Sequence, residues 1–174
     1  MTERKRNFFL TGPKHVGKST ILFAAVGAFS GRIGGFRVER VYDGKRLRAF
    51  RLVDLLSHES AVIAQARRGG WDVHEGGFEL VGVQAIRQAL AAADLIVMDE
   101  LGRFELRAPT FLRTVVDALD SPIPVVGVLK ADSNPFIDAI RGREDTLVVE
   151  VTPGREEDTA SRLRAFLSNV VACR

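Results

Sequence analysis

Short apolar runs alternate along the chain with longer stretches in which apolar residues return every three or four positions. The runs read as buried strands and the longer stretches as helices packed on them, so the alternation predicts an α/β domain with a mostly parallel sheet. Residues 7–11 form the first predicted strand. A glycine-rich loop follows, and then a helix over residues 18–29, stopped by Ser30-Gly31. Residues 35–41 and 47–55 flank Tyr42-Asp43-Gly44-Lys45, an Asp-Gly turn that predicts an antiparallel hairpin inserted after the first helix. Residues 57–78 leave strand and helix both open, because residues 61–66 fit either and Gly69-Gly70 and Gly76-Gly77 punctuate the segment.

Further on, Val83, Ile86, Ala89, Leu90 and Ala93 recur at helical spacing within residues 81–93, and Leu95-Ile96-Val97-Met98 makes a compact strand. Pro109 opens another helix, with Leu112, Val115, Val116 and Leu119 expected on one face. Residues 123–129 and 146–151 read as strands. The last helix, over residues 153–171, carries Glu156, Glu157 and Asp158 in its first turn, opposite the positive end of the helix dipole. Its stripe of Leu163, Phe166, Leu167 and Val170 is expected to close the core.

With 174 residues, 46% hydrophobic and 27% charged, the chain is expected to form one domain spanning residues 1–174. The net charge of +3 and a pI near 9.4 suit an anionic ligand without giving a nucleic-acid-binding signature. Arg4-Lys5-Arg6 reads as a solvated end. A single cysteine, Cys173, excludes a disulfide within the chain and a cluster of cysteine ligands, which fits a reducing compartment. With neither a signal-peptide pattern nor an apolar run of membrane-spanning length, the expected location is the cytoplasm, with no membrane partner.

The chemistry is concentrated in two places. Gly12, Pro13, Lys14, His15, Val16, Gly17, Lys18 and Ser19 satisfy G-x-x-x-x-G-K-[ST] between a predicted strand and a predicted helix, with Thr20 following. Such a loop points backbone N–H groups inward onto phosphates, Lys18 reaches the β- and γ-phosphates, and Ser19 offers an oxygen to Mg²⁺. The expected ligand is a nucleoside triphosphate. Asp99 and Glu100 end the apolar strand at 95–98, in the manner of a Walker B segment, and this strand is expected beside the first. Asp99 is placed on the metal and Glu100 on the attacking water, as general base. A further cation is expected from Arg103, Arg107, Arg141 or Arg143, among which spacing selects none. His15, His58 and His74 are too scattered for a metal site, and His15 is expected to point out of the loop.

Three segments carry a resemblance: TGPKHVGKST at 11–20, GFRVERVYDGKRLRAFRLVDL at 35–55 and MDELGRFEL at 98–106, with Val151-Thr152 before the last helix. In this order they resemble the small nucleoside-triphosphatases that include cancer-related nucleoside triphosphatase. The resemblance covers nearly the whole chain. It implies a three-layer P-loop fold akin to RecA- and AAA-type ATPases, and slow Mg²⁺-dependent hydrolysis of ATP, GTP and other triphosphates at the β–γ bond, with low base selectivity. It also implies that Gly12 to Thr20 bind phosphate, and it places Arg103 and Glu105 in the family block and the expected arginine at Arg141 or Arg143. The candidate catalytic set is then Lys18, Glu100, Arg103 and Arg143, with Ser19 and Asp99 for the metal. The chain departs from the family at Lys14-His15, at Gly77-Phe78 and at Pro153-Gly154-Arg155, positions that bear on base contacts and rate.

Two other classes share these residues. Asp99-Glu100-Leu101-Gly102 fits D-x-x-G and Lys130-Ala131-Asp132 fits the end of [NT]-K-x-D, as in a GTPase or a nucleotide-dependent regulatory module, but Leu129 lacks the polar contacts of Asn or Thr. In a small-molecule or nucleotide kinase, Glu100 would instead face an acceptor hydroxyl.

Overall fold

Consecutive side chains on β1 (Asn7–Thr11) leave the strand in opposite directions, and both directions are apolar. Phe8 and Leu10 join one core with Leu22, Val26, Leu163 and Leu167, whereas Phe9 joins the other with Ile86, Phe111 and Val115. Strands apolar on both faces require a layer over each. Helices α1 (Lys18–Val26) and α6 (Glu156–Val171) supply one, and α3 (Val83–Ala92) and α4 (Pro109–Asp120) the other.

The computed structural model describes residues 5–172, so Arg4 and Cys173 lie outside it. Besides β1, the strands are β2 (Ile33–Asp43), β3 (Arg46–Asp54), β4 (Ser60–Arg67), β5 (Gly70–Val73), β6 (Leu95–Leu101), β7 (Val125–Leu129) and β8 (Thr146–Glu150). They form one eight-stranded sheet in the order β5-β4-β3-β2-β6-β7-β1-β8. From β2 to β8 the pairing is parallel; from β2 outward to β5 it is antiparallel. The three-layer α/β fold is as expected from the sequence.

Two expectations of strand and helix packing are corrected. First, β6 does not lie beside β1, because β7 runs between them and pairs with both. Each of these strands is an apolar run buried on both faces, and nothing local in such a run states its neighbour. The antiparallel hairpin expected after the first helix is present. β2 pairs with β6 through Ile33 to Phe36 and with β3 through Phe36 to Asp43, so the hairpin extends the main sheet. Gly35 makes this possible: at φ 100° a Cβ there would meet the Val97 carbonyl oxygen at 2.0 Å. The undecided segment supplies β4 and β5, and α2 (Glu75–Gly77) then leads through a π-helical turn, Phe78–Gly82, into α3. Second, α4 buries Phe111, Thr114, Val115, Ala118 and Leu119, whereas Val116 is exposed.

Between β7 and β8 lies α5 (Pro135–Arg141), a helix the apolar pattern did not announce. Asn134 caps it, its side chain accepting from the Ile137 N–H at 2.9 Å. Lys5 and Arg6 are not a free solvated end: Lys5 donates to the Glu144 carbonyl, and Arg6 pairs with Asp145 at 2.9 Å. No helix among the described residues is long and apolar enough to cross a membrane.

Candidate functional site

The chain leaves β1 into a loop that turns on three positive φ angles, at Gly12 (135°), His15 (62°) and Gly17 (92°). Gly12 lies against the end of β8, where a Cβ would come within 2.8 Å of the Val151 carbonyl oxygen. His15 is exposed and lines the cleft beside the loop. Helix α1 starts at Lys18 without a side-chain cap, so the N–H groups of its first turn and the positive end of its dipole face the concavity of the loop. The Lys18 ammonium donates to the carbonyl oxygens of Gly12 at 2.9 Å and Pro13 at 2.6 Å. Burial holds its pKa below the ordinary lysine value, the positive charges of Lys130 and Arg40 act in the same direction, and Glu100 opposes them.

One residue further along α1, the Ser19 hydroxyl donates to Asp99 Oδ1 at 2.7 Å. Asp99 Oδ2 accepts from the Val38 N–H at 3.1 Å. The carboxyl group is buried, at 1% exposure, and desolvation pushes its pKa up to about 6 against these two hydrogen bonds. Two hard oxygens, one from α1 and one from β6, thus converge at the mouth of the loop. A Mg²⁺ ion, which takes one or two protein oxygens and completes its octahedron with phosphate and water, fits this donor pair.

Register explains how Asp99 and Glu100 both serve the same end of the sheet. Met98 pairs with Gly127 but Leu101 pairs with Leu129, so β6 carries an extra residue there. Glu100 takes it up in the left-handed region, at φ 72°. Backbone conformations of this kind in a residue with a side chain concentrate at functional sites.

The Glu100 carboxylate meets Lys130 Nζ at 2.9 Å. Lys130, just past β7, lies 5.7 Å from the Phe50 ring centroid and 5.3 Å from that of Phe104, and its stem packs on Gly102. Gly102 is fixed on both sides, its N–H donating to Glu105 and its carbonyl accepting from Asn134 Nδ2 at 3.0 Å. Glu105 is buried, which raises its pKa. Through the Gly102 N–H it braces the turn under Lys130.

The sequence did not nominate Lys130, Arg40, Phe50, Trp71 or Phe104, yet all line the cleft with the glycine loop, a space of about 460 Å³. Lys130 was visible as part of a Lys-Ala-Asp triplet; its pairing with Glu100 was not. Arg103 lines the cleft, 5.7 Å from the Phe104 ring. Arg107 is solvent-exposed, 3.8 Å from Glu75. Arg141 donates to the Lys130 carbonyl at 2.8 Å.

Arg143 is corrected. It bonds Asp145 at 2.9 Å, Asp120 at 2.7 Å and the Leu119 carbonyl at 3.3 Å, and that same carbonyl accepts from Asn7 at the start of β1. The glycine loop begins at the other end of this strand, ~13 Å away at ~3.3 Å per residue. Arg143 thus clamps the N-terminal ends of the strands and does not reach the cleft.

A central parallel sheet with a glycine loop running from β1 into α1 defines an α/β nucleotide-binding protein of the P-loop class. Residues 7–163 match the NTPase family. The chain is 31% identical over 178 residues to nucleoside-triphosphatase THEP1 of Thermofilum pendens, a match covering 96% of this chain and 98% of that protein. It is 34% identical over 156 residues to nucleoside-triphosphatase THEP1 of Thermococcus kodakarensis, covering 82% and 85%. The solution structure of a human cancer-related nucleoside triphosphatase superposes with a TM-score of 0.71 at 26% identity, over 97% of this chain and 96% of that one. The crystal structure of THEP1 from Aquifex aeolicus shares the fold with a TM-score of 0.79 at 22% identity, over 92% and 98%. The chain belongs to the NTPase family, as its resemblance to the small nucleoside-triphosphatases led us to expect.

Proposed function

We propose that this chain is a Mg²⁺-dependent nucleoside-triphosphate phosphohydrolase that cleaves the β–γ bond with low base selectivity. The observation that carries the reading is the Ser19–Asp99 contact at the mouth of the glycine loop, with Glu100 next in the chain. Ser19 and Asp99 would hold the ion, which when bound polarises the β- and γ-phosphate oxygens and offsets the charge that builds up on them. The loop from Gly12 to Thr20 contributes amides and the helix dipole, and Lys18 turns from the Gly12 and Pro13 carbonyls to phosphate oxygens. Glu100 orients water and takes its proton.

Lys130 takes the place of Arg143 in the catalytic set, beside Lys18 and Arg103. Its ammonium lies within the cleft, in contact with Glu100, and the turn at Gly102 fixes its stem. Low base selectivity follows from the grip, since backbone amides and Lys18 hold phosphates and leave the base untouched. The test is phosphate release from ATP, GTP, CTP and UTP with and without Mg²⁺. Release from all four, within about tenfold of one another and dependent on the metal, is expected. No turnover on any of the four sinks the hydrolase reading.

A further inference from the structure

Glu100 and Lys130 meet across two strands, and β7 ends before it can fix the second of them. Lys130 heads a segment, residues 130–134, that is neither helix nor strand. Ala131, Asp132 and Ser133 are exposed, and Ala131 and Asp132 line the cleft together with Lys130. Holding a lysine ammonium in one place costs side-chain freedom, which offsets most of what a partly exposed ion pair contributes. The 2.9 Å contact between Glu100 and Lys130 therefore needs a fixed backbone beneath it.

Helix α5 fixes that backbone from both of its ends. At the C-terminal end, Arg141 donates to the Lys130 carbonyl at 2.8 Å. At the N-terminal end, Asn134 donates to the Gly102 carbonyl at 3.0 Å, on the turn against which the Lys130 stem packs. The Lys130 N–H joins the two turns by donating to the Leu101 carbonyl at 2.9 Å. The helix is itself anchored, because Ile137 and Ile140 are buried in the core that holds Leu101 and Leu129, the last residues of β6 and β7.

Asn134 uses both halves of its amide. The oxygen accepts from the Ile137 N–H at 2.9 Å and caps α5, while the nitrogen donates to Gly102. The Ile137 N–H can only donate and the Gly102 carbonyl can only accept, so the amide is held in one orientation. Capping alone would be served as well by Asp or Ser. The donation to Gly102 would not, since an aspartate offers acceptors only and a serine side chain is one atom shorter.

We propose that Asn134 is a positioning residue for phosphate release, tying the turn after β6 to α5 so that Glu100 and Lys130 are presented together in the cleft. The proposal rests on the roles given above to Glu100 as base and Lys130 as cation. Lys18 and Ser19 make their hydrogen bonds to Gly12, Pro13 and Asp99, so loss of the Asn134 grip leaves these in place. The effect therefore falls on kcat and not on the hold of the glycine loop on the triphosphate. A misplacement of about 1 Å at a reacting group is enough to cost on the order of 10²-fold in rate.

Asn134→Asp separates the two tasks, because it keeps the cap and turns an acceptor onto the Gly102 carbonyl. Its kcat for phosphate release from Mg²⁺-ATP is expected to fall about 10- to 100-fold, with KM within about twofold of wild type and an unchanged denaturation midpoint. Asn134→Ser, which also caps, is expected to show the same split with a smaller loss of rate. In a Lys130→Met background, Asn134→Asp is expected to change kcat by less than about twofold, since the group it positions is gone. Amide hydrogen exchange at Gly102 and Lys130, which needs no turnover, is expected to quicken about tenfold in Asn134→Asp while the amides of α5 exchange as in wild type. A full loss of rate that persists in the Lys130→Met background overturns the route through Lys130. Exchange unchanged at both amides overturns the grip, and a fall in kcat matched by a lowered denaturation midpoint leaves Asn134 with a structural role only. Absence of phosphate release from wild type on ATP, GTP, CTP and UTP would strike the hydrolase reading instead, and the exchange comparison would then decide the grip by itself.

Discussion

Glu100 gathers the most chemistry into one residue. Its left-handed backbone, at φ 72°, places a carboxylate beside Asp99 that a regular strand would send to the opposite face, and Lys130 holds it there. Glu100→Gln keeps an oxygen for Lys130 but cannot accept a proton. It is expected to lower kcat by about 10²- to 10⁴-fold with nucleotide affinity within a few-fold of wild type, whereas Lys18→Ala abolishes binding; both are read by phosphate release and equilibrium binding. A rate unchanged in Glu100→Gln would remove its assignment as base. At this scale the sequence was legible where chain neighbours fix a residue's place, as for Gly12 to Ser19 and Asp99-Glu100, which the fold brings together through Ser19 and Asp99. Lys130 was not, because its meaning comes from Glu100 on another strand and from Phe50 and Phe104 on two further elements.

Among the elements, the Asp-Gly turn at 43–44 identified the β2–β3 hairpin because turn chemistry is local. β4 and β5 stayed hidden, since β4 is rich in alanine and β5 has four residues, too little pattern to decide a period. The strand order was hidden for another reason: β1, β6 and β7 are all short apolar runs, and only the crossovers arrange them. Arg143 shows the consequence. Chain position put it in a loop near a strand end, and topology made that the N-terminal end, where it joins α4 to the start of β8 through Asp120 and Asp145. Arg143→Ala is therefore expected to cost about 2–3 kcal/mol of stability, between the values for exposed and buried pairs, with kcat within twofold of wild type at 25 °C. Chemical denaturation and steady-state kinetics on the same samples check this. A hundredfold loss of rate at unchanged stability would return Arg143 to the catalytic set.

Across the whole molecule, the two ends of the sheet respond to pH with opposite sign. At the N-terminal end, hydrogen bonds from Arg143 and Arg6 hold the Asp145 pKa well below the carboxylate range. Its stabilisation is complete above the ordinary value near 4 and is lost as pH falls from there. At the site end, Asp99 has a pKa raised to about 6 by burial, so the folded state binds a proton more readily than the unfolded chain. Stability of the nucleotide-free protein therefore falls as pH rises from about 4 to about 6, and above that the full cost of a buried charge remains, on the order of 3 kcal/mol for a pKa rise of about two. The metal role proposed for Asp99 would supply the reason to carry this cost, because the ionised carboxylate is the form that ligates a divalent ion. Asp99→Asn keeps an acceptor for the Val38 N–H and a partner for the Ser19 hydroxyl while removing the charge. In the absence of nucleotide and metal it is expected to be more stable than wild type at pH 8, by up to ~3 kcal/mol, and nearly equal to it at pH 4.5. Added Mg²⁺ and a non-hydrolysable triphosphate should raise the melting temperature of the wild type more at pH 8 than at pH 5, and that of Asp99→Asn by much less at either pH. Thermal denaturation at the two pH values tests this, and a variant no more stable than wild type at pH 8 would mean that Asp99 is already ionised at little cost, held by its hydrogen bonds and not strained by burial.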